Sequence, residues 1–175
     1  MNICGIIIAK ENSNRFPGKN YHIVDGYPLF YHAVLDMQDR IEKEDIFVAT
    51  DSKTILEYCK GNGVNTIKRT VNTTRDEEPY FSVLKYAYQT LDKRYDYIVT
   101  IMANSLGHNS AAIQEGINIL NLDPSVKEIR SFDKHGNQSG LFIFRESLLM
   151  ECGFTLTQMG IVINNSKEIH YEGDL

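Results

Sequence analysis

Residues Ile6–Asn20 read IIIAKENSNRFPGKN, an abrupt passage from apolar strand to polar loop. The apolar run begins at Ile3 and ends at Ala9 without alternating, as expected of a central strand covered on both faces of a parallel sheet. The loop that follows, Lys10–Asn20, carries Lys10, Arg15 and Lys19 together with the turn formers Pro17 and Gly18. In open α/β sheets ligands bind beyond the carboxyl ends of the strands, so this loop is expected at the site. Backbone N–H groups in such a loop, supplemented by lysines, neutralise a triphosphate whose charge otherwise resists nucleophilic attack. Two better-known phosphate motifs fail here. A Walker loop requires Gly at position 13 and Ser or Thr at position 20, where Ser13 and Asn20 stand, and no GxGxxG is present.

Outward from this stretch, strand-length apolar runs alternate with segments of helical period, the pattern of βαβ units. Pro28 opens a helix in which Leu29, Phe30, Ala33, Val34 and Met37 form one stripe. Ile46–Thr50 is expected as a second strand and Val64–Lys68 as a third, with Asp51 and Ser52 suited to cap the helix between them. Phe81, Leu84, Tyr88 and Leu91 mark a helix within Pro79–Arg94, leading into a strand at Tyr97–Met102. A helix at Ala111–Leu122 precedes strands at Val126–Ser131, Leu141–Phe144 and Gly160–Ile163. Their short connections point to a mixed sheet with antiparallel edge strands.

The chain has 175 residues, 42% of them hydrophobic and 23% charged, which suits one globular domain and excludes a disordered or collagen-like chain. The net charge of −5 speaks against nucleic acid as a partner. Ile3–Ala9 is too short to cross a membrane, which takes about 20 apolar residues, and no basic stretch precedes it. The expectation is a cytoplasmic protein. Cys4, Cys59 and Cys152 are isolated, so they read as buried small hydrophobes rather than as a disulfide framework or zinc site.

The run Ala9–Asn20, ending Pro17-Gly18-Lys19-Asn20, is followed in order by Asp25-Gly26-Tyr27-Pro28-Leu29, Val48-Ala49-Thr50-Asp51-Ser52 and Lys68-Arg69. In these motifs the chain resembles the acylneuraminate (CMP-sialic acid synthetase-like) cytidylyltransferases. The resemblance implies a three-layer α/β/α, Rossmann-like nucleotide-diphospho-sugar transferase fold with a mostly parallel mixed sheet, filled by one domain over residues 1–175. It implies attack of a sugar-acid hydroxyl on the α-phosphorus of CTP, release of pyrophosphate, and Mg²⁺ on the phosphate oxygens. The nucleotide-binding residues it implies are Ala9, Lys10, Ser13, Arg15, Lys19, Asn20 and Arg69, with Lys10 and Lys19 as the catalytic cations. Lys10 stands where typical members have arginine, keeping the charge and losing the bidentate fork.

The second half departs from the family pattern. Met102-Ala103-Asn104-Ser105-Leu106-Gly107-His108 replaces a Gln-Pro-Thr-Ser-Pro-Leu-Arg motif, leaving Asn104, Ser105 and His108 as substrate-side candidates. Glu168 and His170 stand where typical members hold the metal with two aspartates. Read by pattern alone, the two alternate along a short terminal strand and face solvent. Asp133–Ser139 occupies the place of a long dimerisation arm, so the usual dimer is replaced by a monomer or a different pairing. Asp51 is open between a helix cap and a site residue, and Arg75-Asp76-Glu77-Glu78 reads as a solvated helix entry. Two alternatives accompany the cytidylyltransferase reading: a non-catalytic relative binding a nucleotide or partner protein, and a nucleotidyltransferase for a different sugar.

Overall fold

The computed structural model describes residues 1–11, 16–69, 79–107, 110–151, 155 and 157–175. Its centre is a seven-stranded sheet built from β1 (Ile3–Ala9), β4 (Ile46–Thr50), β5 (Asn65–Lys68), β6 (Tyr97–Ile101), β8 (Glu128–Phe132), β9 (Gln138–Arg145) and β10 (Met159–Ile163). The order is β10-β8-β9-β6-β1-β4-β5. Strand β1 pairs in parallel with both neighbours, Gly5–Ala9 against Ile46–Thr50 and Ile3–Gly5 against Tyr97–Val99. Two small ribbons complete the strands: β2 (Ile23–Val24) with β3 (Tyr27–Pro28), and β7 (Ser105–Leu106) with β11 (Lys167–Glu168). The β2–β3 turn has positive φ at Asp25 and Gly26, as an Asp-Gly hairpin requires.

Helices α1 (Leu29–Gln38), α2 (Lys53–Gly61), α3 (Tyr80–Gln89), α4 (Ser110–Leu122) and α5 (Glu146–Glu151) cover the sheet on both faces. The pleat divides β1 between two cores. Ile7 and Ala9 join Phe30, Met37, Ile55 and Ile113 on the α1/α2/α4 side. Cys4, Ile6 and Ile8 join Leu84, Tyr88 and Leu149 on the α3/α5 side. Fully burying one such side chain stabilises by about 1.5–3 kcal/mol, which is why the uninterrupted run suits an interior strand covered on both faces. A β carbon at Gly5 would collide with Met37 Sδ, so glycine there is what lets α1 lie close on the sheet.

One expectation about the sheet is corrected. It is mixed, but its antiparallel strand is the interior β9, set between β6 and β8, while the edge strands β5 and β10 both pair in parallel. The cause is a tight turn after Phe132, closed by Asp133 N–H to Asn137 O at 2.8 Å, which folds β9 straight back on β8. Strand β9 is buried on both faces from Ser139 to Phe144, and that apolar content draws it inward. Helix α5, too short to show a period, was not expected. Cys4 and Cys59 are free and buried as read, with burial pushing the Cys59 thiol up to about 12. Cys152 and the Arg75–Glu78 run lie outside the described residues. Among the described residues no helix is long and apolar enough to cross a membrane.

Candidate functional site

The parallel strands β1, β4, β5 and β6 end along one edge of the sheet, and the loops beyond them bring the candidate residues together. Gly18, with φ 73°, turns the chain into a short helical turn at Lys19–Tyr21. Asn20 is buried there, and its Nδ2 donates to the Lys10 carbonyl at 2.7 Å, tying the end of the loop to its start beside Ala9. Glu11 N–H donates to Asp51 Oδ1 at 3.1 Å, pinning the same loop to the end of β4. The cap of α2 is Ser52, whose Oγ accepts Ile55 N–H at 3.4 Å. Asp51 is therefore not the helix cap, and its side chain anchors the loop.

Arg69 follows β5 and donates its backbone N–H to Thr50 O at 2.9 Å. Its side chain is 4% exposed, and among the described residues Nε, Nη1 and Nη2 have no hydrogen-bond partner. Burial pushes this guanidinium below its ordinary value, with the charge of Asp51 working in the opposite direction. Buried charge is costly unless paired, so an unpaired guanidinium at a strand end is a donor waiting for a ligand.

The other half of the site is organised by a main-chain carbonyl that no residue pattern reveals. Lys19 Nζ donates to Ile169 O at 3.1 Å, and Asn104 Nδ2 donates to the same oxygen at 3.0 Å. Ile169 N–H returns a bond to Asn104 O at 2.7 Å. The segment Lys167–His170 is thereby laid across the sheet edge, with Glu168 opposite Ser105. The reading of Glu168 and His170 as solvent-facing residues of one terminal strand holds for the exposure of His170 and is corrected for Glu168, which is half-buried, and for the shared strand. Only Glu168 lies in β11, and its side chain is 25% exposed against 45% for His170. Glu168 Oε1 and Ser105 Oγ lie 3.3 and 2.5 Å from the point a β carbon of Gly140 would occupy, a position left clear by a glycine at φ 77°. Ser105 Oγ is fully buried and has no hydrogen-bond partner among the described residues. Tyr80, donating to Thr100 Oγ1 at 2.6 Å, has its hydroxyl pushed up by burial and by the nearby Glu168 charge.

The Mg²⁺ expectation can be tested on these donors. Glu168 Oε2 and His170 Nε2 are 3.3 Å apart, and among the described residues no three His, Cys, Asp or Glu side chains converge. Asp174 Oδ2 is occupied by the N–H groups of His170 and Tyr171 at 2.7 and 2.8 Å. Mg²⁺ takes oxygen donors in near-ideal octahedra, and imidazole nitrogen suits softer ions. The pair does not fit Mg²⁺. The structure brings together Ala9, Lys10, Lys19, Asn20, Asn104, Ser105, Glu168 and His170, and sets Arg69 at the neighbouring strand end. Ser13, Arg15 and His108 lie outside the described residues.

A cytidylyltransferase family profile matches residues 4–118. The chain is 25% identical over 160 residues to the N-acylneuraminate cytidylyltransferase of Streptococcus agalactiae serotype III, matching 90% of this chain and 37% of that protein. It is 27% identical over 154 residues to the CMP-N,N'-diacetyllegionaminic acid synthase of Legionella pneumophila, covering 78% of this chain and 66% of that one. The chain thus spans less than two thirds of the length of these relatives. Among solved structures, CMP:2-keto-3-deoxy-manno-octonic acid synthetase complexed with CTP superposes with a TM-score of 0.79 at 11% identity, over 99% of this chain and 95% of that one. The inositol-1-phosphate CTP transferase of T. maritima gives 0.72 at 12% identity, over 100% and 91%. At these identities the structural likenesses establish the fold, a mostly parallel Rossmann-like nucleotidyltransferase sheet. With the profile spanning β1 to α4, over well more than half the sequence, the chain belongs to the cytidylyltransferase family.

Proposed function

We propose that the chain binds CTP at the carboxyl ends of β1, β4, β5 and β6 and transfers CMP to a sugar acid of the sialic or a related type, releasing pyrophosphate. The observation that carries this reading is Arg69, a buried guanidinium with three unpartnered nitrogens beside a lysine-bearing loop. Its donors suit the carbonyl oxygen and ring nitrogen of cytosine. Lys10 and Lys19 neutralise the triphosphate, and Asn20 holds the loop in shape for it. A phosphate oxygen is a stronger acceptor than a carbonyl, so it draws Lys19 away from Ile169 O. In the reaction the sugar hydroxyl oxygen bonds to the α-phosphorus as the bond to the bridging oxygen breaks. The electron pair leaves with pyrophosphate, and the hydroxyl proton passes to solvent. Asn104 and Ser105 face the sugar side. In this reading the domain works without the family's exchange arm, as a monomer or through a different pairing, and the tight turn between β8 and β9 supports it.

CTP at millimolar concentration raises the melting temperature, and Lys19→Ala removes most of that rise; no CTP-dependent shift in the parent protein refutes the reading. A second reading, a nucleotide-binding relative without turnover, is favoured by the poor fit of Glu168 and His170 to Mg²⁺. Pyrophosphate release from CTP with a panel of sugar acids separates the two. Release at turnover rates excludes the second reading, and tight CTP binding without release excludes the first. The acceptor that gives release names the sugar.

A further inference from the structure

Strand β10 ends the sheet with an open backbone edge, for among the described residues it pairs with β8 alone. Gln158 O accepts Lys127 N–H at 2.8 Å and Asn164 N–H donates to Phe132 O at 2.7 Å, so the even-numbered residues turn their main-chain groups toward β8. Successive residues of a strand point these groups to opposite sides, which leaves the N–H and C=O of Met159, Ile161 and Ile163 aimed outward. The side chains divide in the same way. On one face Val162 is buried, and a β carbon at Gly160 would press on Ile129 and on Ile119 of α4. On the other face Ile161 is 52% and Ile163 60% exposed, across from Arg130 and Phe132 of β8. An edge of this kind is a template for pairing, and proteins blunt it with charge or proline. The opposite edge, β5, carries an exposed Lys68. Residues 152–166 contain no charged side chain and no proline, and the two charges of β8, Arg130 and Glu128, are bonded to each other at 2.6 Å.

We propose that β10 is the contact through which two copies of this chain pair, their edges antiparallel about a two-fold axis at Ile161, so that the two sheets become one. Centring on Ile161 sets that residue opposite its own copy and Met159 opposite Ile163. Each of these pairs exchanges both main-chain bonds, because all the groups concerned face outward. The exposed isoleucines of the two copies then cover one another on one face. Charge selects a second copy as the occupant. With a net charge of −5 the chain repels its like, and least so along an uncharged stretch, whereas a basic partner drawn by that charge finds nothing to pair with at β10. Strands β8 and β9 stand between β10 and β6, so the pairing leaves the candidate nucleotide site open and is independent of the nucleotide reading.

Sedimentation velocity of the full chain between about 1 and 100 µM reads the association. The expected result is a concentration-dependent species of twice the chain mass. Ile161→Lys, at an exposed position, sets two like charges face to face and raises the dimer dissociation constant at least about tenfold. Met159→Glu and Ile163→Lys each weaken the dimer, and the double variant recovers it, because in this register the two new charges lie opposite one another across the axis. Circular dichroism verifies that every variant is folded. A parent protein that stays monomeric at about 100 µM overturns the proposal and leaves the edge to a different protein. A dimer unchanged in folded Ile161→Lys also overturns it, placing the contact on another surface. Loss of the dimer in Ile161→Lys without recovery in the double variant overturns the antiparallel register.

Discussion

Replacing Arg69 by methionine is expected to move stability and ligand binding in opposite directions. The guanidinium is 4% exposed and its three nitrogens have no hydrogen-bond partner among the described residues. Desolvating an ion costs several kcal/mol after relaxation, and Asp51 offsets only part of this, because it shares no hydrogen bond with Arg69. Methionine has a similar reach and no charge to desolvate. Exchanging a buried charge for an apolar side chain of similar volume typically gains about 1–4 kcal/mol. For a domain of this size each kcal/mol raises Tm by about 2–4 °C, so Arg69→Met melts about 2–16 °C above the parent. The CTP-dependent rise in Tm disappears in the same variant, since the donors facing the base are gone. Differential scanning calorimetry with and without CTP reads both effects. A variant that melts lower than the parent while keeping its CTP shift refutes the reasoning, for Arg69 would then be a structural cation with a partner of its own.

Asp36, on α1, has its carboxyl raised to about 7 by burial, with Asp39 adding to the rise. Its folded value lies above the ordinary carboxylate value of about 4, so the folded state holds the proton more tightly. Stability contributed by this group is full below pH about 4 and is lost as pH rises toward 7, and Asp36→Asn flattens that decline in urea titrations across the window. Asp51→Asn keeps an acceptor for Glu11 N–H and removes the charge beside Arg69, whereas Asp51→Ala removes both. CTP affinity is expected to fall about tenfold or less in the first and further in the second, because the second also frees the loop. Equal losses in the two, measured by calorimetry, would mean that the loop anchor contributes nothing.

Much of the fold was legible because its signals are local. The unbroken run Ile3–Ala9 and the run Ile46–Thr50 have the bounds of β1 and β4, since a strand buried on both faces needs no polar interruption. Ser52 at the start of α2 is read directly from cap chemistry. Strand order is different. Whether β9 stands at the edge or between β6 and β8 depends on pairings between residues far apart in the chain, and the mixed sheet was foreseen without that placement. At the site, the loop lysines were visible as residue types at a strand end, and Asn20 through the family resemblance. The Ile169 carbonyl that gathers Lys19 and Asn104 was not, because every residue has such a group and only the fold selects one. The isolation of Arg69 is equally invisible in sequence, which shows the charge and not its burial.

Isothermal titration of the full chain with CTP, set against ATP and GTP, tests the central claim most directly. The account predicts a single CTP site, with ATP and GTP at least about tenfold weaker, and loss of the CTP signal in both Lys19→Ala and Arg69→Met. No heat with CTP at millimolar concentration, or CTP binding that survives in both folded variants, would contradict it.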